Sequence, residues 1–312
     1  MKIVFAGTPE FAVEPLKNII ENGFEVVGVI TQTDKPQGRK GILTPPPVKT
    51  FANEKGIPVL QPLKIRDCID EVSSLGGDLL VTCAYGQILT QAVLDLFPLG
   101  VWNIHAGLLP AYRGASPIQS CILAGEKETG VSIMKTELGL DSGDVLLVEK
   151  TAISETETCG ELSDRLSKIG AEAIVKGLKL IQTGEFSLEK QSEEGVNIVR
   201  KIDKEQAKID FSKPVKEIIN LVRAMNPEPA AYTMVNGMKI NVFVAEESEW
   251  GEDTSGVAFG TVLSDSPKKG LIVKCGDGAL KLCEVQAAGG KRMKGGDFLN
   301  GRKAQKGDVL KC

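Results

Sequence analysis

Histidine is almost absent from this chain of 312 residues, which contains a single one, His105. Aromatic residues are also scarce, at 5% of the sequence, with two tryptophans and three tyrosines. The seven cysteines are odd in number and contain no Cys-x-x-Cys pair, so neither a disulfide framework nor a zinc knuckle is indicated. With one histidine and no thiolate pair, we expect no metal site built from protein ligands.

Long apolar runs are missing as well, since none approaches the roughly 20 residues that a membrane span requires. The chain starts with a charged segment that passes directly into a strand–turn–helix pattern, which is not typical of a signal peptide. We therefore expect a reduced cytoplasmic protein without a membrane segment. The content of 42% hydrophobic and 25% charged residues is that of an ordinary globular protein, and the length indicates two domains.

The N-terminal half has the pattern of a parallel α/β sheet. An apolar strand over 2–6 is followed by a turn at Pro9, an amphipathic helix and a second strand over 25–31, which is a β-α-β unit. The first turn lacks Gly-x-Gly-x-x-Gly, so no motif indicates a dinucleotide. A long loop over 33–47 then carries Arg39 and Lys40, which either contact an anion or are simply solvated charges.

The sequence predicts a site with polar side chains where the strand over 99–105 ends in a loop rich in glycine and proline. Side chains alternate along a strand, so Asn103 and His105 should share a face at the carboxyl edge of the sheet, where open α/β sheets bind ligands. A lone histidine is nevertheless often a satisfied core residue. Asp141 lies between glycines and either presents a carboxylate or only turns the backbone. The residue types alone leave both alternatives open.

The C-terminal part has a different pattern. A helix over 159–183 and a polar segment precede five short strands between 231 and 285, with an Asn-Gly hairpin signal at 236–237, which predicts a small closed barrel. Residues 268–312 contain eleven Lys and Arg against four Asp and Glu, a net charge of +7, which leaves −11 for the rest of the chain. This basic end either meets a polyanion or is a solvated lysine-rich surface.

Several motifs, in this order, resemble the 10-formyltetrahydrofolate-dependent formyltransferases over nearly the whole chain. They are Phe5-Ala-Gly-Thr-Pro-Glu-Phe11, Ala84-Tyr-Gly86, Asn103-Ile-His105, Leu108-Leu-Pro-Ala-Tyr-Arg-Gly-Ala-Ser-Pro-Ile-Gln119, Gly139-Leu-Asp141-Ser-Gly-Asp144 and Asp297-Phe-Leu-Asn-Gly-Arg302. The chain departs from the family at Gly107, where Ser is usual, and between Pro227 and Pro229, where Trp is common.

The resemblance implies an α/β fold in which a Rossmann-like, parallel-sheet formyltransferase domain precedes a small OB-like β-barrel domain. The expected boundaries are 1–188 for the folate-binding catalytic domain, 189–207 for a linker and 208–312 for the tRNA-binding domain. The expected site residues are Asn103, His105 and Asp141 for catalysis; Tyr85, Gly86, Leu108, Leu109, Pro110 and Ala111 for folate; and Arg39, Lys40, Lys291, Arg292 and Lys294 for tRNA.

The implied reaction moves a formyl group from 10-formyltetrahydrofolate to the amino group of methionine on initiator tRNA, without a metal and in a monomer. Asn103 can donate to the developing oxyanion and His105 can exchange a proton, while Asp141 either accepts a proton through water or supports His105. Two alternatives remain: an amino-sugar nucleotide as the acceptor, or a catalytically dead nucleic-acid-binding protein.

Overall fold

The structure, a computed structural model, describes residues 1–38 and 41–311. Contacts along the chain divide it into two compact units. Unit 1 comprises Met1–Pro117, Glu128–Ala152 and Ser163–Arg200, and unit 2 comprises Ile118–Lys127, Ile153–Leu162 and the chain from Lys201 onward. The boundaries at 188 and 208 stay a prediction. Arg39 and Lys40, both expected to contact tRNA, lie outside the described residues.

Helices and strands follow one another in the order expected for an α/β domain and then a β-rich domain. Up to the end of the long helix they are β1 Lys2–Gly7, α1 Val13–Glu21, β2 Glu25–Ile30, β3 Lys35–Gln37, β4 Ile42–Thr44, α2 Pro47–Glu54, β5 Val59–Leu60, α3 Ile69–Ser74, β6 Leu79–Cys83, α4 Gln91–Leu94, β7 Val101–His105, β8 Arg113–Gly114, α5 Pro117–Leu123, β9 Glu128–Lys135, β10 Val145–Ala152 and α6 Cys159–Thr183. The remaining elements are β11 Ile198–Val199, α7 Val215–Ala224, β12 Ala231–Val235, β13 Met238–Ser248, β14 Leu271–Lys274, β15 Ala279–Ala287, β16 Met293–Lys294 and α8 Gly295–Asn300. None of the helices in the described ranges is both long and apolar enough to cross a membrane.

Unit 1 is built around a seven-stranded sheet with the order β10-β9-β7-β6-β1-β2-β5. The strands from β7 to β5 are parallel, as predicted, and β6 is buried at all five positions. β9 runs antiparallel to both β7 and β10, so the sheet is mixed rather than wholly parallel. Connectivity accounts for the β9–β10 pairing, because the loop over 136–144 joins these two neighbouring strands directly and reverses the chain.

The loop predicted over 33–47 contains a short antiparallel hairpin, in which β3 pairs with β4. Lys49 and Gln61 both bind the Asp34 carboxylate just before this hairpin, at 2.8 Å from Oδ1. Exposed Ile42 and Leu43 lie on its second strand. Sequence periodicity missed the hairpin because each of its strands has only three residues.

Unit 2 contains the antiparallel sheet β12-β13-β15-β14, with β16 paired to β15. Single bridges complete a circuit back to β12: Val262 pairs with Val273 on β14, Thr261 with Val309, and Lys311 with Met234 on β12. The segment 260–263, predicted as a strand, contributes through two of these bridges. Buried apolar side chains from the barrel strands, α7 and α8 fill the interior. The predicted fold class is confirmed.

The polar segment 189–207, predicted as a linker because it lacks periodicity, makes specific contacts in its first half. Glu189 and Val145 exchange backbone hydrogen bonds, and β11 pairs in parallel with β8. Gln191 is buried in unit 1. This segment therefore braces the loop that follows β7.

Candidate active site

Asn103 and His105 lie two residues apart on β7, on the same face of the sheet, as strand alternation predicts. Their neighbours on that strand, Trp102 and Ile104, are buried and hold the strand in the core. Asn103 pairs in register with Thr82 on β6, and His105 pairs with Ser132 on β9. The strand therefore delivers an amide and an imidazole side by side at its carboxyl end.

The Asn103 amide has a fixed orientation. The Thr82 hydroxyl donates to Asn103 Oδ1 over 2.8 Å. Within the described ranges no acceptor occupies Asn103 Nδ2. Because its oxygen is held by Thr82, the side chain presents its neutral N–H donor to a ligand at this edge of the sheet.

His105 is a buried polar group, with only 4% of its surface exposed. Its Nε2 lies 3.1 Å from the carbonyl oxygen of Tyr112. Because a carbonyl can only accept, Nε2 carries the hydrogen of the neutral ring and Nδ1 is left with a lone pair. Nδ1 lies 3.6 Å from Asp141 Oδ2, which is too long for a direct hydrogen bond but close enough for an ion pair once the ring is protonated.

Burial lowers the pKa of His105 below its usual value. The Asp141 charge and the Tyr112 carbonyl both act in the opposite direction and offset burial only in part. The ring is therefore neutral at pH 7, with Nδ1 available to accept a proton. Asp141 is the charged group that faces it.

Asp141 lies in the loop over 136–144 between β9 and β10 with φ at +46°, a left-handed conformation that is uncommon outside glycine. The backbone N–H of Gly114 donates to Asp141 Oδ2 over 2.7 Å. A Cβ on Gly143 would collide with the carbonyl oxygen of Lys135, so only glycine allows this close approach. The turn therefore places the Asp141 carboxylate beside His105.

Gln191, Arg113, Tyr112 and Thr82 were not predicted from the sequence as parts of this site. Gln191 Oε1 accepts from Arg113 Nε and Nη2, and Gln191 Nε2 donates to the backbone carbonyls of Asp141 and Gly143. Tyr112 N donates to Asn197 Oδ1. These hydrogen bonds join segments 48 to 85 residues apart, for which periodicity gives no signal.

The residues expected to bind folate fall into two groups. Leu108, Leu109, Pro110 and Ala111 are half-buried and form a turn closed by a hydrogen bond from Ala111 N to Leu108 O, so they offer a partly exposed apolar surface. The Tyr85 ring instead packs in the core of unit 1.

The residues that flank Tyr85 are exposed, although its ring is buried. Gly86 is exposed, with φ at +80°, and a Cβ there would press on Gln32 Nε2. Ala84, also exposed, has φ at +47°.

The three cations expected to contact tRNA, Lys291, Arg292 and Lys294, lie on the surface of unit 2 and are called here the basic segment. The Arg292 guanidinium lies 3.5 Å from the centroid of the Phe243 ring, and Nη1 is 3.9 Å from Glu284. The guanidinium therefore makes a cation–π contact with this ring while the arginine stays exposed.

Two further observations concern metal binding and Gly107, where the chain departs from the family. Across residues 1–38 and 41–311, no group of three or more His, Cys, Asp and Glu is placed to hold a metal ion. At Gly107 a Cβ would lie 3.0 Å from His105 Nε2, so the missing side chain gives the imidazole room. The Ser132 hydroxyl donates to the Gly107 carbonyl over 2.8 Å.

Comparison with known proteins finds formyltransferases along both the N-terminal and the C-terminal part of the chain. The Formyl transferase family model matches residues 1–178, and the model for the Formyl transferase C-terminal domain matches residues 201–303. A methionyl-tRNA formyltransferase of Bacillus velezensis is 45% identical over 99% of this chain and 97% of its own length. That of Citrifermentans bemidjiense is 44% identical over 99% and 96%. An N-formyltransferase of Helicobacter canadensis, solved with folinic acid and dTDP-3-aminofucose, has the same fold with a TM-score of 0.67 at 19% identity, over 90% of this chain and 98% of its own.

Proposed function

The chain belongs to the formyl transferase family, and we propose that it transfers the formyl group of 10-formyltetrahydrofolate to the amino group of methionine on initiator methionyl-tRNA. The observation that carries this function is the triad at the end of β7, a free amide donor beside a neutral imidazole that faces a carboxylate. The similarity to methionyl-tRNA formyltransferases extends over 99% of the chain and so includes unit 2.

Two observations support binding of the formyl donor at this edge of the sheet. A flat, largely apolar ring system needs apolar contact together with backbone groups for its polar edge. Residues 108–111 offer partly exposed apolar side chains, and the left-handed turn at Ala84 and Gly86 exposes main chain without a side chain at Gly86. We assign these residues to the donor, which supplies an activated formyl group when bound.

Asn103 stabilises the charge that forms during transfer. Attack of the methionine amine on the formyl carbon breaks the carbonyl π bond and places negative charge on the formyl oxygen. Asn103 Nδ2 is a neutral donor already oriented by Thr82, so it needs no rearrangement to meet that charge. A preorganised donor of this kind acts on the transition state more than on the ground state.

His105 moves the proton. The amine that attacks the formyl carbon must lose one proton, and the folate nitrogen that departs must gain one. Neutral His105 accepts at Nδ1, because Nε2 is committed to the Tyr112 carbonyl. The same nitrogen then returns the proton to the departing nitrogen, so the imidazole ends as it began and no net charge is left on the enzyme.

Asp141 supports the charged form of His105. Its Oδ2 is held by the Gly114 N–H and faces Nδ1 at 3.6 Å, which stabilises the imidazolium formed during transfer. The gap also leaves space for the migrating proton to enter. Of the two roles open from sequence, we therefore propose electrostatic support of His105.

The acceptor is the larger partner, and the basic segment is our candidate for its phosphates. Exposed lysine and arginine side chains position a nucleic acid through its backbone. Both substrates belong to translation and folate metabolism in the cytoplasm, so we expect the enzyme to work there. That it is a monomer stays a prediction.

A comparison of acceptors tests this function. The protein is mixed with 10-formyltetrahydrofolate and either initiator methionyl-tRNA, elongator methionyl-tRNA or a dTDP-linked amino sugar, and the formylated product is quantified. We expect kcat/KM to be highest for the initiator tRNA. Efficient turnover of the amino sugar with none of methionyl-tRNA would overturn the proposal.

A further inference from the structure

We propose that Gln191 is a positioning residue of this reaction, whose side chain holds the turn that presents Asp141 to His105. The role rests on the proposed function, because Asp141 acts in catalysis only under that function. Gln191 lies in the polar segment after α6 and belongs to unit 1.

Every hydrogen-bonding position of the Gln191 amide is occupied. Oε1 accepts from Arg113 Nε at 3.0 Å and from Arg113 Nη2 at 2.8 Å. Nε2 donates to the Asp141 carbonyl at 2.8 Å and to the Gly143 carbonyl at 2.7 Å. Only 9% of the residue is exposed. A buried amide with both acceptor and both donor positions used defines one geometry, since any other leaves buried polar groups unpaired.

The Asp141 turn needs such a holder, because it has little apolar packing of its own. Residues 137–140 lie towards the solvent, including the large exposed side chains of Leu138 and Leu140. The left-handed backbone at Asp141 is itself unfavourable and persists only when surrounding contacts impose it. Gln191 Nε2 supplies such contacts, because it binds the main-chain carbonyls of both Asp141 and Gly143.

The same side chain also joins this turn to the loop that controls His105. Arg113 belongs to β8, which pairs with β11, and its backbone N–H donates to the Asn197 carbonyl. The carbonyl of the preceding residue, Tyr112, accepts from His105 Nε2. Gln191 is therefore the bridge between the group that fixes the imidazole tautomer and the group that faces its other nitrogen.

Two substitutions separate positioning from simple structural support. Gln191→Met keeps the length and volume of the side chain but removes every hydrogen bond. Gln191→Glu keeps an acceptor for Arg113 and loses both donors to the Asp141 turn. If Gln191 serves only to satisfy buried Arg113, Gln191→Glu should behave like the wild type; if it holds Asp141, both variants should fail alike.

The kinetic test measures kcat and both KM values with 10-formyltetrahydrofolate and methionyl-tRNA. Small displacements of a catalytic group are costly, so we expect kcat to fall roughly 10- to 100-fold in both variants, with each KM within about threefold of the wild type. In an Asp141→Asn background, Gln191→Met should have almost no further effect, because the two act as one unit. Independent effects that multiply, or a rise in KM at unchanged kcat, would overturn the proposal.

The second test needs no substrate. His105 is the only histidine, so its imidazole gives a single, unambiguous NMR titration curve. The Asp141 charge raises the pKa of His105 against the effect of burial. Releasing the turn should therefore lower the pKa in Gln191→Met toward that of Asp141→Asn. The control is Gln61→Ala, which removes a glutamine bonded to the Gln32 carbonyl near the opposite edge of the sheet, and it should leave the curve unchanged.

The outcomes distinguish this inference from the proposed function. A shifted His105 titration in a protein that formylates no tested acceptor would reject the function and retain only the contact through which Gln191 holds Asp141 beside His105. Normal formyl transfer with an unshifted titration in Gln191→Met would reject the positioning role and retain the function. If Gln191→Met does not fold, Gln191→Glu is used for the kinetic readout alone, because its new charge would itself shift the His105 titration.

Discussion

Asn103 offers the sharpest single perturbation, because its oxygen and nitrogen have separate tasks. Thr82 binds Oδ1 over 2.8 Å, whereas Nδ2 is open to the substrate. Loss of one donor to an oxyanion costs about 2.7–4 kcal/mol, which is a reduction in kcat of roughly 100- to 1000-fold. Asn103→Ala should show this reduction at nearly unchanged KM, since the interaction develops only in the transition state. Asn103→Asp keeps the oxygen that Thr82 binds but replaces the donor with a second oxygen, so it should be at least as inactive.

Thr82→Val is the matched control for this prediction. It removes the hydroxyl that orients the amide while keeping the shape of the side chain and the donor itself. A neutral hydrogen bond contributes about 1 kcal/mol, so kcat should fall by roughly fivefold only. The assay is single-turnover formyl transfer at saturating enzyme, which isolates the chemical step from tRNA release. An Asn103→Ala enzyme within about threefold of the wild-type rate would refute the oxyanion role.

Three further predictions concern pH, tRNA and the loop after β7. The rate at saturating substrates should fall as pH is lowered through the His105 pKa, which burial holds below the usual histidine value, so a plateau is expected at pH 7; an acid limb above that usual value would contradict this. Replacing the three cations of the basic segment with alanine should weaken tRNA binding and reduce the salt slope by roughly 0.7–0.9 for each phosphate that is no longer neutralised, whereas an unchanged slope would remove the segment from the interface. Gly114→Ala should lower both the melting temperature and kcat, because φ is +117° and the new Cβ would collide with the Val199 carbonyl, at a cost of at least ~1–3 kcal/mol; Gly195→Ala, also left-handed but with open space around it, should cost less.

The parts of the site that the sequence predicted are those set by local regularity. Asn103 and His105 share a face because side chains alternate along any strand, and their place at the carboxyl edge follows from the β-α-β order. The long helix over 159–183 was predicted with the bounds that the structure has, because its apolar stripe extends over many turns. Such periodic signals accumulate with length.

The parts that the sequence did not predict depend on interactions between distant segments. The direction of β10 relative to β9 follows from the loop at Asp141 that joins them, and no periodicity distinguishes a parallel from an antiparallel strand. Gln191 lies in a polar, aperiodic stretch typical of a linker, yet its partner Arg113 is 78 residues away. α8 begins with two glycines, which are poor helix formers, and packing in the barrel overrides that preference.

The most direct test is a rapid-quench comparison of the wild type and His105→Ala with 10-formyltetrahydrofolate and initiator methionyl-tRNA, with tRNA affinity measured separately. We predict formyl-methionyl-tRNA from the wild type and a loss of transfer of at least about 100-fold in His105→Ala, at tRNA affinity within about twofold. A His105→Ala protein that transfers formyl at the wild-type rate would contradict a reaction carried out by the only histidine in the chain.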